Sequence, residues 1–119
     1  MAAKDKLFLL PPAFPDPALG PGWFHCIECA RIEGLLHYKP ELRQRLDVEQ
    51  IPHARPRAAL VTLLGEPHQN CPTLVVAASS PPAPELLERS SVTDRWYCTG
   101  VDAITAYLVA VYGLSAPHP

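Results

Sequence analysis

Cys26 and Cys29, in the run Cys-Ile-Glu-Cys, are the side chains of this sequence best suited to covalent chemistry. Two intervening residues let the sulfurs close a disulfide. A helix starting at Cys26 would aim its unpaired N–H groups and positive dipole end at the first sulfur, favouring a thiolate there. At about 100° per residue, Cys29, Ile32, Leu35 and Leu36 share one helical face, while Glu28, Arg31 and Lys39 fall mainly elsewhere. That register turns Cys29 toward a core and leaves Cys26 at the rim. Cys26 is then the nucleophile that attacks an incoming disulfide, and Cys29 the thiol that resolves the mixed disulfide. Glu28 opposes the charge effect from inside the motif.

A third cysteine, Cys71, stands directly before Pro72 in Asn-Cys-Pro-Thr. Zinc is the rival chemistry: Cys26, Cys29 and Cys71, with His25 or His68, supply four ligands if Cys71 faces the pair. A second Cys-x-x-Cys, the usual companion of such a site, is missing from the sequence. Cys98, ending an apolar run, reads as a buried hydrophobe, and His25 as a solvent-facing ring. Trp23 and Phe24 either form an apolar lip for a substrate or pack against the helix start.

The elements that must hold these residues can be read from periodicity and punctuation. Lys6–Leu10 is a short apolar run stopped by Pro11-Pro12, a buried strand. Pro11–Gly22 holds five prolines and two glycines and is a long surface loop. A first helix runs from Cys26 to about Tyr38, with Pro40 able to open a further turn through Leu42. Leu46–Ile51 alternates as a half-exposed strand. Pro56 opens a second helix, with Leu60, Val61, Leu63 and Leu64 ahead of Gly65.

Thr73–Ala78 is β-branched and apolar, a third buried strand. Glu85–Arg89 is expected to add one helical turn before a strand over Val92–Cys98, the two strands forming a hairpin with a long connection. Thr99 and Asp102 have capping-box spacing ahead of a last helix carrying Ile104, Tyr107, Leu108 and Val111. The order strand, helix, strand, helix, strand, strand, helix predicts one α/β domain over 1–119. Its core is a central mixed four-stranded sheet flanked by helices, with a right-handed βαβ crossover.

Composition narrows the function classes. A chain of 119 residues, 48% apolar and 18% charged, can bury a real core without staples. Formal net charge is −2 with no long basic run, which argues against nucleic acid as a partner. The longest apolar segment, Val101–Leu114, includes Asp102 and falls short of the ~20 residues a bilayer requires, so no membrane span is expected. The apolar run at Leu7–Leu10 is too short for a signal peptide. Four cysteines without a secretion signal point to reduced thiols in a cytoplasmic protein.

The strand-to-helix setting of Cys26-Ile27-Glu28-Cys29, followed about forty residues later by Cys71-Pro72 before a strand, resembles thioredoxins and glutaredoxins. Segments Lys6–Leu10, Phe24–Gly34, Leu46–Ile51, Cys71–Val76 and Asp102–Leu108 look like a bacterial family of uncharacterised thioredoxin-like proteins. The resemblance implies a thioredoxin-like fold (βαβ-α-ββα) and a cis peptide before Pro72, facing the cysteine pair. It also implies that Cys71 offers backbone groups to a bound peptide or to glutathione, which would serve as co-substrate. In that setting Asp102 would receive the amino group of glutathione, and Arg55 and Arg57 its carboxylates. Partners would be protein or glutathione disulfides, with no further cofactor. A non-enzymatic thioredoxin-like binding module, holding a metal through Cys26, Cys29 and Cys71, is the alternative.

Overall fold

Leu7, Phe8 and Leu9 are all buried, as in a strand covered on both faces. The computed structural model describes residues 3–119. In chain order the elements are β1 (Lys6–Leu9), α1 (Ile27–Tyr38), α2 (Leu42–Arg45), β2 (Asp47–Gln50) and α3 (Ala58–Leu64). They continue with β3 (Thr73–Val75), β4 (Glu88–Arg89), β5 (Trp96–Thr99) and α4 (Val101–Tyr112). The sheet runs β2-β1-β3-β5-β4. β1 pairs with β2 in parallel, from Lys6↔Asp47 to Leu9↔Gln50, and with β3 in the antiparallel sense. β3 with β5 and β5 with β4 are antiparallel as well.

The helices flank this sheet with the faces their spacing predicts. Cys29, Ile32 and Leu36 of α1, Leu60 and Leu64 of α3, and Ile104, Tyr107 and Leu108 of α4 join the strands in one core. Burying such side chains stabilises the fold by about 1.5–3 kcal/mol each before conformational entropy is set against it. Among the described residues, no helix is long and apolar enough to cross a membrane.

The mixed sheet has five strands, not the four expected. The extra one, β4, lies where a helical turn was expected; the turn is a 3-10 helix at Pro84–Leu86 instead. Ser90 explains the shift. Its buried hydroxyl donates to Leu64 O at 2.6 Å and accepts from Val92 N and Thr93 N at 3.1 and 3.2 Å, which folds residues 90–94 into a turn. β4 and β5 thus pair across a short connection, Arg89 opposite Trp96, and Val92 stays out of the ladder. Val92 packs over Gly65, where an added Cβ would come within 2.8 Å of the valine side chain.

The expected capping box is also replaced. α4 is capped by Gly100 without a side-chain bond, and Glu28 Oε1 of α1 accepts from Val101 N at 2.8 Å. Thr99 is occupied elsewhere: its hydroxyl donates to Pro72 O at 3.1 Å. The proline-rich loop has order of its own. Phe14 and Phe24 exchange both backbone hydrogen bonds, at 3.0 and 2.9 Å, which brings the chain back to the start of α1.

Candidate functional site

Cys26 is the N-cap of α1. Its backbone is extended (φ −79°, ψ 117°), and its sulfur accepts from Cys29 N at 3.2 Å, in the role a serine or aspartate oxygen usually plays. The side chain is half-buried while its neighbours His25 and Ile27 are exposed. Cys29, one turn into the helix, is buried, as its register with Ile32 and Leu36 requires. Its sulfur accepts from Leu10 N at 3.4 Å, the first amide beyond β1. Strand end, helix start and cysteine pair are thereby tied together.

The other half of the site comes from the loop before β3. The Cys71–Pro72 peptide is cis, and the Cys26 thiol faces Cys71 O at 4.0 Å. Both Gly100 N and the Thr99 hydroxyl donate to Pro72 O, at 3.0 and 3.1 Å. Asn70 Nδ2 donates to Thr99 Oγ1 at 2.7 Å, and Thr73 Oγ1 to Asn70 O at 2.6 Å. The loop facing the cysteine pair is therefore fixed to β5 and the start of α4.

Two charged residues take places the sequence did not disclose. Arg57 is buried, and its guanidinium donates to His53 O (3.0 and 2.8 Å) and Gln69 O (2.6 Å), so it holds the fold instead of awaiting a ligand carboxylate. Arg55, two residues earlier, is exposed. Glu28 reaches toward α4 and is engaged with Val101 N, so it bridges two helices instead of simply opposing the charge at Cys26.

Asp102 is exposed on the first turn of α4, in a groove of about 650 Å³ with Arg31, Leu35 and Val109; no cysteine lines that groove. The structure thus brings together Cys26, Cys29, Cys71 and Pro72 and sets Asp102 in a separate groove. His68 meets Tyr97, its Nδ1 at 3.2 Å from the phenol. Among the described residues no three His, Cys, Asp or Glu side chains form a group able to hold a metal ion. All four cysteines are free thiols. Trp23 and Ile27, among the most exposed large apolar residues, flank Cys26 in the chain.

A model of the family described as "Protein of unknown function (DUF3088)" matches residues 4–116. The chain belongs to that family. No curated protein and no solved structure matches it.

Within this DUF3088 chain, burial sets three thiols apart from Cys26. Desolvation, then a hydrogen bond with Cys26, pushes Cys29 up to about 12. Burial raises Cys71 to about 11, against the pull of Arg57, and Cys98 to about 12. In the unfolded chain all three would titrate near ~8.5. Above that pH the unfolded chain loses these protons while the folded chain keeps them, so stability falls as pH rises toward the folded values. Between about pH 8 and pH 10 the loss should be on the order of 1 kcal/mol per buried thiol. Urea midpoints of the reduced protein at the two pH values check this, and an unchanged midpoint would contradict the assignment.

Proposed function

We propose that this chain is a thiol–disulfide oxidoreductase of thioredoxin or glutaredoxin type, with Cys26 as nucleophile, Cys29 as resolving thiol and Pro72 shaping the substrate groove. The observation that carries this reading is the position of Cys26: a half-exposed sulfur on a helix N-terminus, opposite a cis-proline loop. Cys26 thiolate attacks one sulfur of a disulfide and expels the other as a thiolate. Cys29 then attacks Cys26 Sγ, forming the Cys26–Cys29 disulfide and releasing the second thiol, which takes the Cys29 proton. Because burial holds Cys29 protonated, it waits until Cys26 has been capped.

A thioredoxin-like fold belongs to the same proposal. The order β2-β1-β3-β5 with its single parallel pair supports it, β4 being an edge addition. Protein or glutathione disulfides are the proposed partners, and a reducing, cytoplasmic compartment suits four free thiols. Trp23 and Ile27 suit the apolar part of a peptide, and their exposure favours a second reading, a binding module without turnover.

Insulin-reduction and glutathione-coupled disulfide assays, run beside elemental analysis, separate the two. Metal-free protein that turns over and forms a reversible disulfide supports the oxidoreductase. Stoichiometric zinc with no turnover would overturn it.

A further inference from the structure

The geometry points to Cys71 as a second resolving thiol, able to close a Cys26–Cys71 disulfide in competition with Cys29. This rests on the oxidoreductase reading and concerns the fate of its mixed disulfide. Cys71 lies on the loop facing Cys26, with its carbonyl oxygen 4.0 Å from the Cys26 sulfur, and its own side chain is buried. The loop is pinned at Pro72 O by Gly100 and Thr99, so Cys71 is held in place opposite the nucleophile.

Arg57 supplies an independent observation. Its side chain is more than nine-tenths buried, and its hydrogen bonds go to the carbonyls of His53 and Gln69. Among the described residues it forms no salt bridge with a carboxylate. A buried cation balanced only by carbonyl dipoles favours negative charge nearby. Cys71 is the thiol that receives this influence, since Arg57 sits close enough to pull its pKa down against the effect of burial. The groups acting on Cys29 are uncharged apart from its neighbouring thiols: Leu10 N, Cys26 and Cys71. Of the two thiols able to attack a capped Cys26, Cys71 is the one whose loop is bonded to Arg57, through the carbonyl and side chain of Gln69 two residues before it.

With glutathione disulfide the step balances as follows. Cys26 gives a proton to the first departing glutathione thiolate as the mixed disulfide forms. Cys71 then attacks Cys26 Sγ, the bond to the second glutathione breaks, and that thiolate takes the Cys71 proton. Glutathione disulfide is reduced to two glutathiones while the Cys26/Cys71 dithiol is oxidised by two electrons.

The test uses Cys29→Ser in the full-length chain, since serine can still accept from Leu10 N. After treatment with glutathione disulfide, blocking of free thiols and tryptic digestion, residues 7–31 and 58–89 each carry one cysteine in this variant. The expected product is these two peptides joined. The glutathione adduct on Cys26 should persist at least about tenfold longer when Cys71→Ser is added. A stable adduct on 7–31 in Cys29→Ser, with 58–89 unlinked, would overturn the inference and leave the oxidoreductase reading standing. If Cys26 takes up no glutathione in the wild-type chain, both fall. Cys29→Ala provides the reading should Cys29→Ser fail to fold: a 7–31/58–89 linkage supports the proposal and its absence contradicts it.

Discussion

Cys26→Ser is expected to lower disulfide-exchange turnover by about 10³-fold or more, while stability stays within about 0.5 kcal/mol of the parent. The two effects separate because the Cys26 sulfur has two jobs. As a nucleophile it has no substitute, since a serine hydroxyl is not ionised near neutral pH and does not exchange with disulfides. As the cap of α1 it is replaceable: serine is a preferred N-cap residue, and its oxygen can accept from Cys29 N as the sulfur does. Cys26→Ala should be equally inactive but should also lose the cap, at a cost of about 1 kcal/mol. Turnover in the assays above and urea unfolding of the three proteins distinguish these outcomes. Retained turnover in Cys26→Ser would remove Cys26 from the chemistry.

The largest loss of stability is expected at Arg57. Arg57→Met keeps much of the side-chain volume and removes three donor contacts to the carbonyls of His53 and Gln69. Charge-assisted hydrogen bonds are worth about 1.5–3 kcal/mol each, and a buried acceptor left without a donor carries its own penalty. Against this stands relief from burying a guanidinium without a carboxylate partner, itself several kcal/mol in principle. The backbone contacts should win, because the Arg57 amide also donates to Gln69 Oε1 at 2.7 Å, so that one residue joins the loops on either side of α3. A net loss of about 3 kcal/mol is the expected result. Arg57→Lys keeps the charge but cannot span both carbonyls in the same way and should recover only part of it. A urea midpoint unchanged in Arg57→Met would show that the buried charge cancels its own contacts.

What could be seen in the sequence was local. The pairing of Cys26 with Cys29, the burial of Cys29 and the extent of α1 follow from spacing within a few turns of one helix, where 3.6-residue periodicity is decisive. The cis peptide before Pro72 followed from the family resemblance and not from any local pattern. What stayed hidden depends on contacts between distant segments. β4 is two exposed charged residues with no alternation to mark it, and it exists because Ser90 turns the chain back against β5. Thr99 has the type and spacing of a cap, yet the nearby Pro72 carbonyl captures its hydroxyl. Glu28, seventy-three positions before Val101, takes over at the start of α4. Arg57 looked like an exposed ligand for carboxylates because nothing near it in sequence reveals the two carbonyls that enclose it. Asp102 was placed by analogy, and the structure shows it lining a groove beside α1 that no cysteine lines.

The central claim, that Cys26 is the reactive thiol and the other three are held in reserve, is tested most directly by the order of alkylation. Reduced protein is treated with limiting iodoacetamide near neutral pH, and the modified cysteines are located by peptide fragmentation. Burial of Cys29, Cys71 and Cys98, with their thiols pushed up to about 12, 11 and 12, predicts that Cys26 is modified first. Cys29 modified first, with Cys26 inert, would contradict the account.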